Sequence, residues 1–255
     1  MGYYGFDISE YQTDIDWGAI PNNFSFAIIR AGYGVSITQK DNRFDSHMKG
    51  ARNAGKHIGV YWFLYALNEE EAIQNAKAFL QVIEPYRKWI DFPVVLDVEG
   101  DSIRYMRGQG VEPSRVKISG MIKAFCSEIE RAGYYASVYS DNSFINSYFD
   151  SEVLKRYDLW FAYLVNKFDP SYCTRNCGVW QYTNKGNVNG IKGNVDLDYT
   201  ERDYPTIMKE YGLNGYHDEK PDEIHVPVFN TLIESGTVSE TETQIFIVLN
   251  KKVKK

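Results

Sequence analysis

Asp97 and Glu99 are the residues of this chain whose type and spacing speak most directly of chemistry. They close the run Phe92-Pro-Val-Val-Leu-Asp-Val-Glu-Gly100. Pro93 opens the run, apolar residues carry it and Gly100 ends it, which reads as a buried strand of a parallel sheet. Side chains alternate along a strand, so both acids are expected on one face. Two carboxylates at the end of a buried strand are costly unless a cleft solvates them or a reaction uses them. At that spacing both cannot ionise easily, and one pKa is expected to rise. A carboxyl still protonated near neutral pH is what acid-catalysed cleavage of a glycosidic bond requires. The plainer alternative is a pair of strand-end acids that cap a neighbouring helix or meet a lysine.

Two further acids favour the chemical reading. Asp7 closes an N-terminal strand pattern, Tyr3-Tyr-Gly-Phe-Asp-Ile, and Asp196 lies in a late one, Val195-Asp-Leu-Asp-Tyr199. In a closed (β/α) barrel the first and last strands are neighbours, which sets Asp7 beside Asp196. Active sites of such barrels gather at the C-terminal ends of the strands. Core packing does not account for acids converging there.

The elements that must position these acids follow from pattern. Candidate strands are 3–8, 25–30, 57–65, 93–99, 134–140, 158–163, 178–182 and 195–199. Candidate helices are 44–54, 69–86 and 113–132. Glu69-Glu-Glu opens the second helix with acids, which suits the helix dipole, and Ala132-Gly133 ends the third. Helices or long loops separate the first five strands, while the last three follow at short intervals. The expected fold is therefore α/β, an irregular (β/α)5(β)3 TIM-like barrel.

The pattern weakens after Tyr211. Residues 1–211 read as one domain, 212–228 as a linker rich in Gly, Asp, Glu, Lys and Pro, and 229–255 as a short extension with one β-like run, Gln244–Leu249. So few residues cannot easily bury a core alone. A wall-binding arm, a fragment of an appended module and an oligomerisation strand all remain open for it.

Composition narrows the partners. The chain has 255 residues, 44% of them hydrophobic and 15% aromatic, with 20 Tyr and 5 Trp. Such rings suit stacking on sugars as well as core edges. The net charge of −6 argues against nucleic acid, which wants a basic face. No apolar stretch approaches the length of a membrane span, and no signal peptide is evident at the N-terminus. Cys126 sits in a helical pattern as a buried small hydrophobe. Cys173 and Cys177, four apart in a loop, form either a small disulfide or two free thiols. His47, His57, His217 and His225 do not cluster with them, so no metal site is expected.

Eight short motifs resemble, in order, the family 25 glycoside hydrolases, the Chalaropsis-type lysozymes. They are Gly5–Gln12, Phe26–Gly34, Gly59–Phe63, Val95–Glu99, Val138–Ser140, Leu159–Ala162, Val179–Tyr182 and Val195–Asp198. The resemblance covers roughly residues 2–205 and implies the same irregular barrel. It implies hydrolysis of the β-1,4 bond from N-acetylmuramic acid to N-acetylglucosamine in bacterial peptidoglycan, without metal or organic cofactor. By resemblance Glu99 is the general acid, Asp97 and Asp196 stabilise charge at the reacting sugar, and Asp7 holds substrate or tunes the others. Tyr61 and Tyr139 supply site hydroxyls, and Trp160, Gln181 and Tyr182 form the wall of the sugar groove. Arg30, Phe63 and Asp198 complete the substrate-binding set. Asp198 departs from the family pattern, which usually has Asn there, so which of Asp196 and Asp198 enters the site stays open.

Two mechanisms fit these residues. In one, the substrate's 2-acetamido oxygen attacks the anomeric carbon while Asp97 orients the amide and Glu99 acts as acid, then base. In the other, Asp7 or Asp196 activates water for direct inversion. Two other functions compete with the muramidase. One is a wall-binding lectin with a dead site, which the four acids disfavour. The other is a chitinase, which usually carries a longer D-x-x-D-x-D-x-E run where this chain has Val94, Val95 and Leu96. With no leader evident, the expectation is a phage-type endolysin made in the cytoplasm and released through a holin-type pore. A secreted enzyme whose leader was removed gives the same sequence.

Overall fold

The computed structural model describes residues 2–165, 167–169, 171, 177–219, 225–228 and 243–246. Eight strands close into a barrel in sequence order. They are β1 (Tyr3–Ile8), β2 (Phe24–Tyr33), β3 (His57–Phe63), β4 (Val94–Asp97), β5 (Ala136–Asp141), β6 (Asp158–Ala162), β7 (Cys177–Gly186) and β8 (Val195–Thr200). From β1 to β7 every pairing is parallel. β8 runs antiparallel to both β7 and β1. The connection 187–194 between β7 and β8 is too short for the crossover that parallel neighbours need, so the chain turns back as a hairpin. This reversal places the start of β8 at the same barrel end as the finish of β1.

The helices lie on α1 (Phe44–Asn53), α2 (Glu69–Ile83), α3 (Gly100–Gly108), α4 (Arg115–Arg131), α5 (Asn142–Tyr148), α6 (Ser151–Arg156) and α7 (Tyr204–Tyr211). The expected helix 69–86 stops at Ile83 and tightens into a 3-10 turn, Glu84–Trp89, that holds Pro85. Proline inside an α-helix removes a hydrogen bond and crowds the preceding turn. α4 starts at Arg115 rather than at 113 because Ser114 caps it, its side chain accepting from Lys117 N–H. The expected strand 93–99 also ends early, at Asp97, because Gly100 begins α3 and Glu99 becomes the residue that precedes that helix. Helices α3, α5, α6 and α7 are too short to give a clear apolar period, and pattern alone missed them.

Inward residues fill the barrel in layers. Phe26, Ile28, Tyr61, Val95, Trp160 and Val179 are buried inside it, and α7 closes the lower end with Tyr204 and Met208. Each such large apolar side chain contributes about 1.5–3 kcal/mol on burial. Gly5 leaves room on β1: a Cβ there would lie 2.3 Å from the Phe26 ring. The expected linker from 212 begins inside this packed structure. Leu213 and Asn214 are buried. The Asn214 amide donates to Phe92 O (2.9 Å) and accepts from Tyr135 N–H (2.9 Å), stitching this end of the fold to the residue before β5 and to the residue before Pro93. Further on, β9 (His225–Val228) and β10 (Thr243–Phe246) pair antiparallel as a two-stranded sheet. Gln244–Phe246 of the expected β-like run lie in β10, and 247–249 lie outside the described residues. Among the described residues no helix is long and apolar enough to cross a membrane.

Candidate active site

A cavity of about 540 Å³ opens at the C-terminal end of the parallel strands. Asp7, Asp97, Glu99 and Asp196 all line it. Asp7 comes from the end of β1 and Asp196 from the start of β8, where the two are direct cross-strand partners. A parallel β8 would have sent Asp196, its second residue, to the opposite end. Asp97 ends β4, and Glu99 follows in extended backbone just before α3. Glu99 N–H meets Ser102 Oγ at 3.4 Å. Asp97 is 5% exposed, while Glu99 is only partly buried. The deeper acid is therefore the shorter one, and the longer carboxyl reaches into the opening.

The four acids share a rise in pKa. Burial raises Glu99 first, the Asp141 carboxylate adds to it, and Arg104 opposes. Burial likewise raises Asp97 well above the usual carboxylate range, with Glu99 adding and Arg30 opposing. Burial raises Asp7 first, and Asp198, Asp196 and Asp97 would each add to the rise in their ionised forms, against a hydrogen bond from Gln181. Burial lifts Asp196 to about 6. Burial and crowding move all four carboxyls toward the protonated form, the direction that acid catalysis needs. One oxygen of Asp97, Oδ1, is buried with no protein partner.

Beneath the acids lies a hydrogen-bonded floor. The Gln181 amide donates to Asp7 Oδ2 at 2.7 Å and to Asp196 Oδ2 at 3.4 Å. Its carbonyl oxygen accepts from the Tyr139 hydroxyl at 2.9 Å. Trp160 packs edge-on against Tyr139 and Tyr61, with ring centroids 4.6 and 5.6 Å away. Its indole N–H donates to Asp198 Oδ1 at 2.7 Å.

The residues expected in the sugar wall, Trp160, Gln181 and Tyr182, do not line this cavity. Trp160 (2% exposed) and Gln181 (4%) support the acids from below rather than flank an open groove. Tyr182 follows Gln181 on β7 and so faces the other way, outside the barrel, packing on Phe168 and Trp180. Asp198 is fully buried and does not line the cavity, so of the two β8 acids Asp196 enters the site. Both face inward, as their spacing predicts, but one layer apart.

Arg30, Tyr61 and Phe63 do line the cavity. Arg30 is held in place: its Nε donates to Asp41 Oδ2 and its Nη2 to Glu10 Oε1, each at 2.7 Å. Asp41 also accepts from Glu10 N–H and Arg43 N–H, tying the loop after β1 to the segment before α1. Sequence reasoning missed Ser9, Glu10, Tyr11, Gln12, Tyr33, Tyr65 and Asp101, which also line the cavity. Tyr65 gathers Tyr33, Phe63 and Tyr105 around it at 5.0–5.8 Å. The aromatic rim thus stands at the ends of β2 and β3, where Phe63 was expected and Tyr33 and Tyr65 join it. Tyr33 and Tyr65 at the ends of two apolar strand runs were the available signal.

Among the described residues no group of His, Cys, Asp and Glu is arranged to hold a metal ion. Cys126 is a buried free thiol. Cys177 is disulfide-bonded; Cys173 lies outside the described residues.

Known proteins resemble this chain in both sequence and fold. The autolytic lysozyme of Clostridium acetobutylicum is 30% identical over 198 residues, covering 76% of this chain and 54% of that protein. The modular autolysin LytC of Streptococcus pneumoniae superposes with a TM-score of 0.67 at 26% identity, over 78% of this chain and 46% of LytC. LytC has also been solved with a synthetic peptidoglycan ligand. The CTP1L endolysin gives a TM-score of 0.65 at 25% identity, over 82% of this chain and 70% of its own. The chain thus spans about half the length of the first two of these relatives. The model of glycosyl hydrolases family 25 matches residues 6–191. With that match over most of its length, the chain belongs to glycosyl hydrolases family 25.

Proposed function

We propose that this protein is an N-acetylmuramidase, a lysozyme that cuts the β-1,4 bond between N-acetylmuramic acid and N-acetylglucosamine in bacterial peptidoglycan. The observation that carries the reading is the cavity in which Glu99, Asp97, Asp7 and Asp196 converge with raised pKa values. Glu99, partly exposed and the longest of the acids, protonates the glycosidic oxygen as the bond to the anomeric carbon breaks. The substrate's own acetamido oxygen then closes on that carbon. The unpartnered Asp97 Oδ1 is a ready acceptor for the acetamido N–H, which favours this substrate-assisted route. Glu99, now ionised, takes a proton from the water that opens the ring and returns to its acid form. Asp196 and Asp7 stabilise the positive charge that develops on the sugar.

The catalytic unit in this reading takes in the barrel together with α7 and the Asn214 anchor. The role of an endolysin, released to the wall through a membrane pore, fits the likeness to CTP1L, and wall turnover by an autolysin fits the likeness to LytC.

The deciding experiment is digestion of purified peptidoglycan followed by borohydride reduction. Muramitol at the new chain ends supports the muramidase. Glucosaminitol means a glucosaminidase on the same scaffold, and wall binding without new reducing ends means a lectin. Retention at the anomeric carbon, read by NMR during turnover, supports the acetamido route, while inversion supports water activated by Asp7 or Asp196.

A further inference from the structure

Two aspartates are buried inside the barrel away from the cavity, and their surroundings differ in kind. Asp158 on β6 accepts from the hydroxyls of Tyr135 (2.6 Å) and Tyr204 (3.0 Å), and the Arg202 guanidinium lies 3.0 Å from its other oxygen. That is a fully compensated carboxylate. Asp198 on β8 is 0% exposed, and its one hydrogen bond comes from the neutral Trp160 indole. Its Oδ2 is buried and has no partner among the described residues.

The groups around Asp198 come from four strands. Trp160 reaches it from β6. Gln181 is its register partner on β7, with its amide already given to Asp7 and Asp196. Gly5, its partner on β1, has no side chain to offer. Asp7 and Asp196 are acids whose ionised forms would repel an ionised Asp198, and Tyr182 on β7 is a phenol that such a charge would also disfavour ionising. None of these is a cation. A buried carboxylate with no counter-charge costs far more than a buried hydroxyl that lacks one acceptor.

We propose that Asp198 is held as an uncharged carboxylic acid and acts as a positioning residue, accepting the Trp160 indole through its carbonyl oxygen and so fixing the floor under Tyr61 and Tyr139. Tyr139 in turn holds Gln181, which holds Asp7. Asp198 therefore governs the acid cluster through geometry while adding no charge to it. Burial, helped by Asp196, acts in the same direction on its proton affinity. The catalytic meaning of this device rests on the muramidase reading; the protonation of Asp198 does not.

The test compares Asp198→Asn with Asp198→Leu in the full chain. Difference infrared spectra of wild type against Asp198→Asn, without substrate, should show loss of one protonated-carboxyl carbonyl band near neutral pH. Absence of that band overturns the proposal whatever the enzyme's activity. Asp198→Leu removes the indole acceptor, and should lower kcat about tenfold or more with a shift in tryptophan emission. Asp198→Asn should rescue kcat to within about threefold and leave both limbs of the pH–rate profile in place. Limbs displaced toward acid pH in the Asn variant would mean that a charge had been removed from the cluster, and would also overturn it. If neither wild type nor variants release reducing ends, the functional reading fails while the infrared result still decides the protonation.

Discussion

Asp7 and Asp196 face each other across the antiparallel pair β1–β8, and one amide, that of Gln181, donates to both. The pairing exists because β8 runs against its neighbours. It brings the second residue of the last strand level with the fifth residue of the first. The Gln181 bond is the contact that favours the ionised form of Asp7 against burial and the neighbouring acids. Asp7 is thus held in balance by a neutral group, whereas Arg30 and Arg104 oppose the rise at Asp97 and Glu99.

Replacing Gln181 should upset that balance in a defined direction. Gln181→Leu keeps the approximate volume but removes the donor, so Asp7 should hold its proton more tightly and contribute less negative charge to the developing cation. We expect kcat to fall about 10–100-fold, with a smaller change in KM. Unchanged kcat would show that Asp7 needs no support from the floor.

Glu99→Gln should abolish most turnover, on the order of 10²–10⁴-fold, while binding to purified walls persists. The substitution removes the proposed proton donor without changing size. Near-normal activity would reassign the acid to another residue of the cavity, and measuring reducing-end release beside wall sedimentation separates the two effects.

Much of this site was legible in the chain. The run ending in Asp97 and Glu99, and the two acids on the first and last strands, gave four residues that the fold brings to one cavity. The face pairing of Asp97 and Glu99 survives although the strand stops at Asp97, because Glu99 continues in extended backbone before α3. The wall of the groove was not legible. Trp160 and Tyr182 are aromatic on neighbouring strands, yet depth and facing are three-dimensional facts: one lies beneath the acids and the other outside the barrel. Leu213 and Asn214 read as linker because two long-range hydrogen bonds leave no local pattern. Arg30 gave no hint of its carboxylate clamp, since Glu10 meets it only when β1 and β2 pair and Asp41 only when the segment after β2 folds back on that strand.

Glu99 lies between a raising and a lowering neighbour, which yields a paired prediction. Asp141 raises its pKa and Arg104 lowers it. Asp141 also caps α5 by accepting from Ser143 and Phe144 N–H, a task that Asn performs comparably. Asp141→Asn should move the alkaline limb of the pH–rate profile to lower pH, because Glu99 then loses its proton sooner. Arg104→Gln should move the same limb to higher pH. Arg104 is largely exposed, so its effect should shrink as salt rises. Shifts in the same direction, or none, would remove Glu99 from the role of titrating acid.

The acids that serve the site should also strain the fold at neutral pH, and Asp196 offers the clearest test. Its carboxyl titrates at about 6 when folded, against an ordinary value of 3.8. The folded protein therefore binds this proton more tightly than the unfolded chain does. Between those two pH values stability falls as pH rises, and above about 6 the penalty is complete. Asp196→Asn removes the ionisable group, so the variant should gain stability relative to wild type at pH 8 and lose that advantage near pH 3. Urea midpoints measured across the range check the sign. The same variant should lose activity, because in the proposed mechanism the charge that weakens the fold is the one offered to the reacting sugar. A stability difference that grows toward acid pH would mean that Asp196 is stabilised as an anion, and the account of a dry, crowded acid cluster would fail at its most exposed member on β8.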